Sequence, residues 1–421
     1  MITSRKRAAL HFLRAAGPGI VFALTVLGPG DLVSNTVTGA THGYALLWAL
    51  GLALIFRVVW LDSSARYVMA TGESLMDGYA RFGNWLAWIF LGAMVVVRLL
   101  ANLYRLALLA NAVEVLAPEG WRPHRLLTGF AVAGLGYLLC VRGGYSTLEK
   151  IFKFLIALMC AALLAAAFLA RPEPGQILRG MLAPSFPADR GLYGTAFILM
   201  ALIGTEAGSL TNITYSYFLR EKGWRGPAFQ QAQRKDLLFS VCCLFLISAS
   251  TQIAAAGTLL KEGISPRDAS DLVVMFSGAL GLAGRVIFTF GICAAAFSGF
   301  AGGTTGYALV LSDAWNKLRG CESGAVSGRR LYRLSIAFWC FAPLLLLTLT
   351  ERPVWLVLAV NALMGACIPV LAVFLLLLTS DRKRMGNLAN GLSATIVLGV
   401  LTAVSSWLLG LNLVEWLRGS G

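Results

Sequence analysis

Charge is scarce in this chain. Only 13% of its 421 residues are Asp, Glu, Lys or Arg, about half the share usual in soluble domains. Hydrophobic residues make up 58%, and mean hydropathy is +0.74. That balance excludes a soluble globular fold and predicts an integral membrane protein. Histidine is nearly absent: His11, His42 and His124 all lie in the terminus or in loops. An imidazole proton relay or a His metal ligand inside the membrane is thereby excluded. The eight cysteines form no Cys-x-x-Cys pair, which argues against a zinc site or a disulfide framework. There is no HExxH, no P-loop and no nucleophile elbow, so neither an enzyme nor a bound cofactor is expected.

What is present is a series of apolar runs long enough to cross a bilayer as helices. About eleven are expected, at 17–41, 44–61, 85–115, 126–141, 154–170, 192–218, 237–259, 284–316, 335–350, 354–379 and 388–416. The alternation of an outer-membrane barrel is missing. Connections are short and no soluble domain fits between spans; the longest lie near 62–84, 219–236 and 317–334. Residues 260–283, with Pro266, Asp268 and Asp271, have the composition of a short surface helix. The basic start (Arg5, Lys6, Arg7, Arg14) reads as the flank of a retained first span rather than a signal peptide.

The net charge of +15 is a topology signal. With the N-terminus in the cytoplasm, roughly 22 Lys and Arg residues fall inside and 10 outside. A multi-pass protein of the cell membrane with a cytoplasmic N-terminus is expected. The bilayer, including its anionic lipid, accounts for the basicity without nucleic acid.

Two apolar stretches are interrupted by polar, Gly-rich segments. The first reads Gly28-Pro29-Gly30-Asp31, and the second runs from Gly204 through Thr205, Glu206 and Gly208 to Thr211 and Asn212. Broken spans in corresponding halves of a chain point to a transporter's substrate site. Freed carbonyls at a half-helix end attract cations, and a carboxylate beside them makes an oxygen-rich site for a hard cation. Asp31 is the leading candidate, because an ionisable group at mid-membrane needs a task or a partner. Glu206 follows, then Thr205, Thr211, Asn212 and the lone amide of Asn361. Arg57, Arg98 and Arg105 also fall in or near spans. Arg98 and Arg105, seven apart, share a helix face, and Arg105 is a candidate partner for Asp31 or Glu206.

The positions of the breaks fit two five-helix halves in inverted topology, 1–170 and 190–379, with an added helix at 388–416. The stretch from Gly17 to Leu47, GPGIVFALTVLGPGDLVSNTVTGATHGYALL, resembles the first helix of the Nramp family of divalent metal transporters. The likeness continues through Trp48, Ala65-Arg66 and Thr71-Gly72, and returns in Ser298-Gly299 and Gly302 to Ala308. The resemblance implies an all-α membrane protein of LeuT type. Together with the polar residues of the second break, it gives a site at Asp31, Gly28, Thr205, Glu206, Gly208 and Asn361, with Thr211, Asn212, Asn102 and Arg105 as secondary candidates. Several positions depart from the family pattern. The acid of the first break is moved from the Gly28 position to Asp31. The family's metal-binding Met falls on Gly208, so the thioether is lost. Asn102 and Arg105 replace the acids of the proton pathway. These departures resemble the divergent Nramp-related magnesium transporters. The expectation is uptake of a hard divalent cation, Mg²⁺ or Mn²⁺, by alternating access without proton coupling. Two charges moving through 100 mV gain about 4.6 kcal/mol, enough to drive entry. The alternative is an organic solute or anion on the same scaffold, which Arg105 near the site would suit.

Overall fold

Every element of size is a helix, and the helices follow the apolar runs closely. The computed structural model describes residues 28–116, 124–142, 145–208, 210–267, 269–318, 329–349 and 353–419. In chain order the first helices are α1 (Pro29–His42), α2 (Leu47–Thr71), α3 (Leu75–Ala80), α4 (Asn84–Leu116), α5 (Arg125–Arg142), α6 (Tyr145–Leu169) and α7 (Pro174–Leu182). The second set is α8 (Thr195–Glu206), α9 (Leu210–Glu221), α10 (Gln230–Gly257), α11 (Ala269–Leu318), α12 (Arg329–Phe341), α13 (Pro353–Ser380), α14 (Arg382–Met385) and α15 (Leu392–Gly419).

Among the described residues, eight helical segments are long and apolar enough to cross a membrane, or nine if the pair bent by 112° between α6 and α7 is one span. The eleven expected positions all carry helix where they are described. Several are shorter or more broken than a full span: α1 has 14 residues, and α12 gives way to a 3₁₀ turn over Ala342–Leu349. The upstream half of the first expected span lies outside the described residues. The connection expected near 62–84 is largely helical, since α2 continues to Thr71 and α3 follows. The surface helix expected within 260–283 is the start of α11, set off by a left-handed kink at Gly281 (φ 62°).

α1 begins where its sequence allows. Pro29 occupies the first helical position, where a missing N–H costs nothing. Asp31, two residues on, reaches back so that its Oδ2 accepts the Gly28 N–H at 3.1 Å. The whole helix is buried although half of it is polar. Thr36, Thr38 and Thr41 satisfy their hydroxyls on carbonyls four residues back, each at 2.7 Å. A buried polar helix at the centre of an apolar bundle marks the place where water or ions are handled.

The second break is built by α8, Ala207-Gly208 and α9. Gly208 sits at φ 68°, and a Cβ there would lie 2.4 Å from the Asn212 Oδ1. Conformation and space both demand glycine at this position. One turn earlier, α8 presses against α13 so closely that a Cβ on Gly204 would lie 1.9 Å from the Asn361 carbonyl oxygen. Small residues of this kind let membrane helices approach backbone to backbone. Among the described helical segments long enough to cross a membrane, the one that holds this break is the best sheltered, 88% buried over its most apolar stretch; the corresponding figure for α15 is 22%. α15 is therefore peripheral, with Trp407 and Trp416 exposed on its outer face.

Candidate functional site

Asp31 and Thr205 join the two broken segments. The Thr205 hydroxyl, in the last turn of α8, donates to Asp31 Oδ1 at 2.8 Å. The Asp31 side chain is thus held from both sides, by the Gly28 amide and the Thr205 hydroxyl, with further lone pairs left on each oxygen. Both residues line a cavity of about 40 Å³. Its wall also takes Gly30 from α1, Arg98, Tyr104 and Arg105 from α4, Thr211 and Thr214 from α9, Gly303 and Tyr307 from α11, and Met364 from α13. The carbonyls in the last turn of α8 lack partners within that helix and carry its negative end toward this region.

Glu206 turns elsewhere. It is fully buried but does not line the cavity. Its Oε1 accepts the Asn35 amide at 2.6 Å and the Ser248 hydroxyl at 2.8 Å, in the seam between α1, α8 and α10. Its Oε2 has no hydrogen-bond partner among the described residues. Arg57 of α2, 2% exposed, acts electrostatically on both Asp31 and Glu206. Arg105 of α4 acts on Asp31 as well, so the two carboxylates share two guanidinium charges. Among the described residues no group of three or more His, Cys, Asp or Glu could hold a metal ion. A cation here would rest on one carboxylate and neutral donors.

The other expected residues frame this site without all entering it. Asn361 clamps the first turn of α1, its amide donating to the Gly30 carbonyl at 3.2 Å and the Ser34 hydroxyl at 2.9 Å. Gly28 caps α1, and Gly208 makes the turn between α8 and α9. Asn212 braces that turn by donating to the Ala207 carbonyl at 3.1 Å. Thr211 lines the cavity, and its carbonyl accepts the Thr214 hydroxyl. Asn102 faces away, donating to the Trp339 carbonyl at 2.7 Å and to Thr304. Arg98 and Arg105 both line the cavity.

Met364, Tyr104, Tyr307, Thr214, Asn35 and Ser248 were not among the expected site residues. Spacing could have found two of them. Met364 lies three residues beyond Asn361 and Thr214 three beyond Thr211, each on its neighbour's helix face. Asn35 and Ser248 carry no such signal.

Comparison with known proteins places the chain in a family. The Nramp profile, described as natural resistance-associated macrophage protein-like, matches residues 19–415. The chain belongs to the Nramp family. The divalent metal cation transporter MntH of Chromohalobacter salexigens is 25% identical over 408 residues, covering 94% of this chain and 89% of that one. The crystal structure of an Eremococcus coleocola manganese transporter, bound to an aromatic bis-isothiourea compound, superposes with a TM-score of 0.70 at 15% identity. It covers 93% of this chain and 84% of the other. Mhp1, a nucleobase-cation-symport-1 transporter in a closed conformation, superposes with a TM-score of 0.56 at 12% identity, covering 96% and 93%. This Nramp protein is an all-helical, multi-pass membrane protein of the LeuT-type fold. Its family is one of transporters, not of enzymes.

Proposed function

We propose that this Nramp protein carries Mn²⁺, ahead of Mg²⁺, by alternating access and without proton coupling. The observation that carries the reading is the Asp31–Thr205 contact, which ties the two broken helices together inside a shared cavity. Asp31 supplies the charge; Thr205 and the last carbonyls of α8 supply neutral oxygens. Gly28, Gly208, Asn212 and Asn361 hold the two breaks in place. Glu206 serves as the fixed counter-charge of Arg57 rather than as a ligand.

One feature favours Mn²⁺. Met364 brings back, from another helix, the thioether missing at Gly208, and a soft donor helps a transition metal over Mg²⁺. The proton-free reading rests on Asn102, which does not titrate and is committed to Trp339 and Thr304. Residues 1–170 and 190–379 are the two halves that move against each other, with 388–416 appended and the N-terminus in the cytoplasm.

The test is uptake by liposomes containing the purified protein under an imposed voltage. Mn²⁺ should enter while internal pH stays constant. Acidification in step with Mn²⁺ entry removes the uncoupled mechanism, and no divalent flux at any voltage removes the reading.

A further inference from the structure

We infer that the cavity contains an anion subsite beside Asp31, where Arg105 and Tyr307 hold a small monovalent anion that binds together with the divalent cation. The pairing with a cation rests on the proposed function; the subsite itself does not. Arg105 is 8% exposed, and its Nε and Nη1 have no hydrogen-bond partner among the described residues. It lines the cavity with its guanidinium over the Tyr104 ring, 4.8 Å from the centroid. A buried guanidinium with unsatisfied N–H groups is costly, and its fork of donors matches a small anion. Tyr307 lines the same cavity, and its hydroxyl is buried without a hydrogen-bond partner among the described residues. Arg98 differs in degree: its Nη2 is already donated to the Gly299 and Phe300 carbonyls, which leaves its Nε as the buried donor without a partner among the described residues.

The facing helix is shaped for these side chains. A Cβ on Gly299 would lie 3.0 Å from Arg105 Nε, and one on Gly303 would lie 2.1 Å from Arg98 Nη1. Glycines four apart share one face of α11 and make the room. Charge points the same way. With the acids ionised, Arg57, Arg98 and Arg105 exceed Asp31 and Glu206 by one positive charge before any cargo arrives. A lone divalent cation would raise that excess to three in a medium that screens poorly; a monovalent anion lowers it. The small inner volume restricts the anion to about the size of a halide or formate.

The experiment measures Mn²⁺ affinity and melting temperature of the full-length protein in chloride, formate or gluconate at equal ionic strength. Gluconate is too large for the cavity. Mn²⁺ should bind about 10-fold tighter in chloride or formate than in gluconate, the scale of one charge-assisted hydrogen bond, and the better salt separates halide from carboxylate. Arg105→Gln should abolish the difference between salts. Tyr307→Phe, which removes one hydroxyl, should shrink it and carries the test if Arg105→Gln does not fold. Equal Mn²⁺ affinity and equal melting temperature in all three salts overturn the subsite, as does full anion dependence in Tyr307→Phe. If Mn²⁺ binds in no salt, yet chloride or formate still raises the melting temperature in an Arg105-dependent way, the subsite stands and the metal reading falls.

Discussion

Replacing Asp31 by Asn tests whether one carboxylate carries the affinity for metal. The fold should tolerate the change. The Asn carbonyl oxygen can still accept the Gly28 amide, now at 3.1 Å from Oδ2. Its NH₂ can face Thr205, whose hydroxyl turns to accept rather than donate across the present 2.8 Å. What disappears is the negative charge. A divalent ion ~2.2 Å from a carboxylate oxygen gains about 15 kcal/mol of gross attraction at an effective dielectric constant of 20. Most of this is offset by the water the ion gives up. If one fifth survives, the loss is about 3 kcal/mol, more than 100-fold in affinity. Titration calorimetry with Mn²⁺ measures this directly, and the melting temperature of the metal-free variant checks the fold. An Asp31→Asn protein that melts like wild type and binds Mn²⁺ within threefold of it would refute the assignment of Asp31 as the charged ligand.

Three further substitutions separate the roles around the cavity. Met364→Leu keeps volume but removes the thioether, so Mn²⁺ affinity should fall about 10-fold while Mg²⁺ affinity holds; equal losses for both ions would remove Met364 from the selectivity argument. Glu206→Gln should weaken Mn²⁺ binding about 10-fold through uncompensated Arg57 charge. The double variant Glu206→Gln with Arg57→Gln should recover most of that loss, and strictly additive losses in the calorimeter would show that Glu206 acts otherwise. Gly204→Ala places a methyl 1.9 Å from the Asn361 carbonyl oxygen. Overpacking against backbone should cost ~1–3 kcal/mol, seen as a lower melting temperature together with weaker Mn²⁺ binding, because Asn361 also clamps Gly30.

The helical architecture and the second break were legible because Gly-rich polar sequence inside an apolar run has few other uses. Gly208 at φ 68° is the residue type that break requires. The shared face of Arg98 and Arg105 also followed from spacing, and both line the cavity. Direction was harder to read. Adjacent residues on a helix point about 100° apart, and either of Thr205 and Glu206 could face a cavity; Thr205 does and Glu206 turns to Asn35 and Ser248. Asn102 and Arg105, three residues apart on one helix, also divide, although that spacing makes them neighbours on its surface. Met364 carries no mark in the sequence, because the family's thioether aligns with Gly208 on a different helix. A cavity collects donors from several helices, and alignment along one of them does not show what another supplies.

The charges around α1 form two sets with different tasks. Glu206 is fastened by Asn35 and Ser248 and lies within the field of Arg57, so it is fixed ballast in the seam between α1, α8 and α10. Asp31 faces the cavity and is held by one amide and one hydroxyl. An arriving cation can replace the Thr205 hydroxyl as the partner of Asp31, because a hydroxyl proton can rotate away while its oxygen turns to the metal. That exchange would use the same two atoms to close the empty site and to coordinate the filled one. Since Thr205 lies in the last turn of α8 and Asp31 in the first turn of α1, filling the site alters a polar contact that joins the two broken segments, beside the one between Asn35 and Glu206. A cation can therefore bias the relation between the two halves of the chain through differential contacts at a single point, which is what a ligand must do to shift a conformational equilibrium.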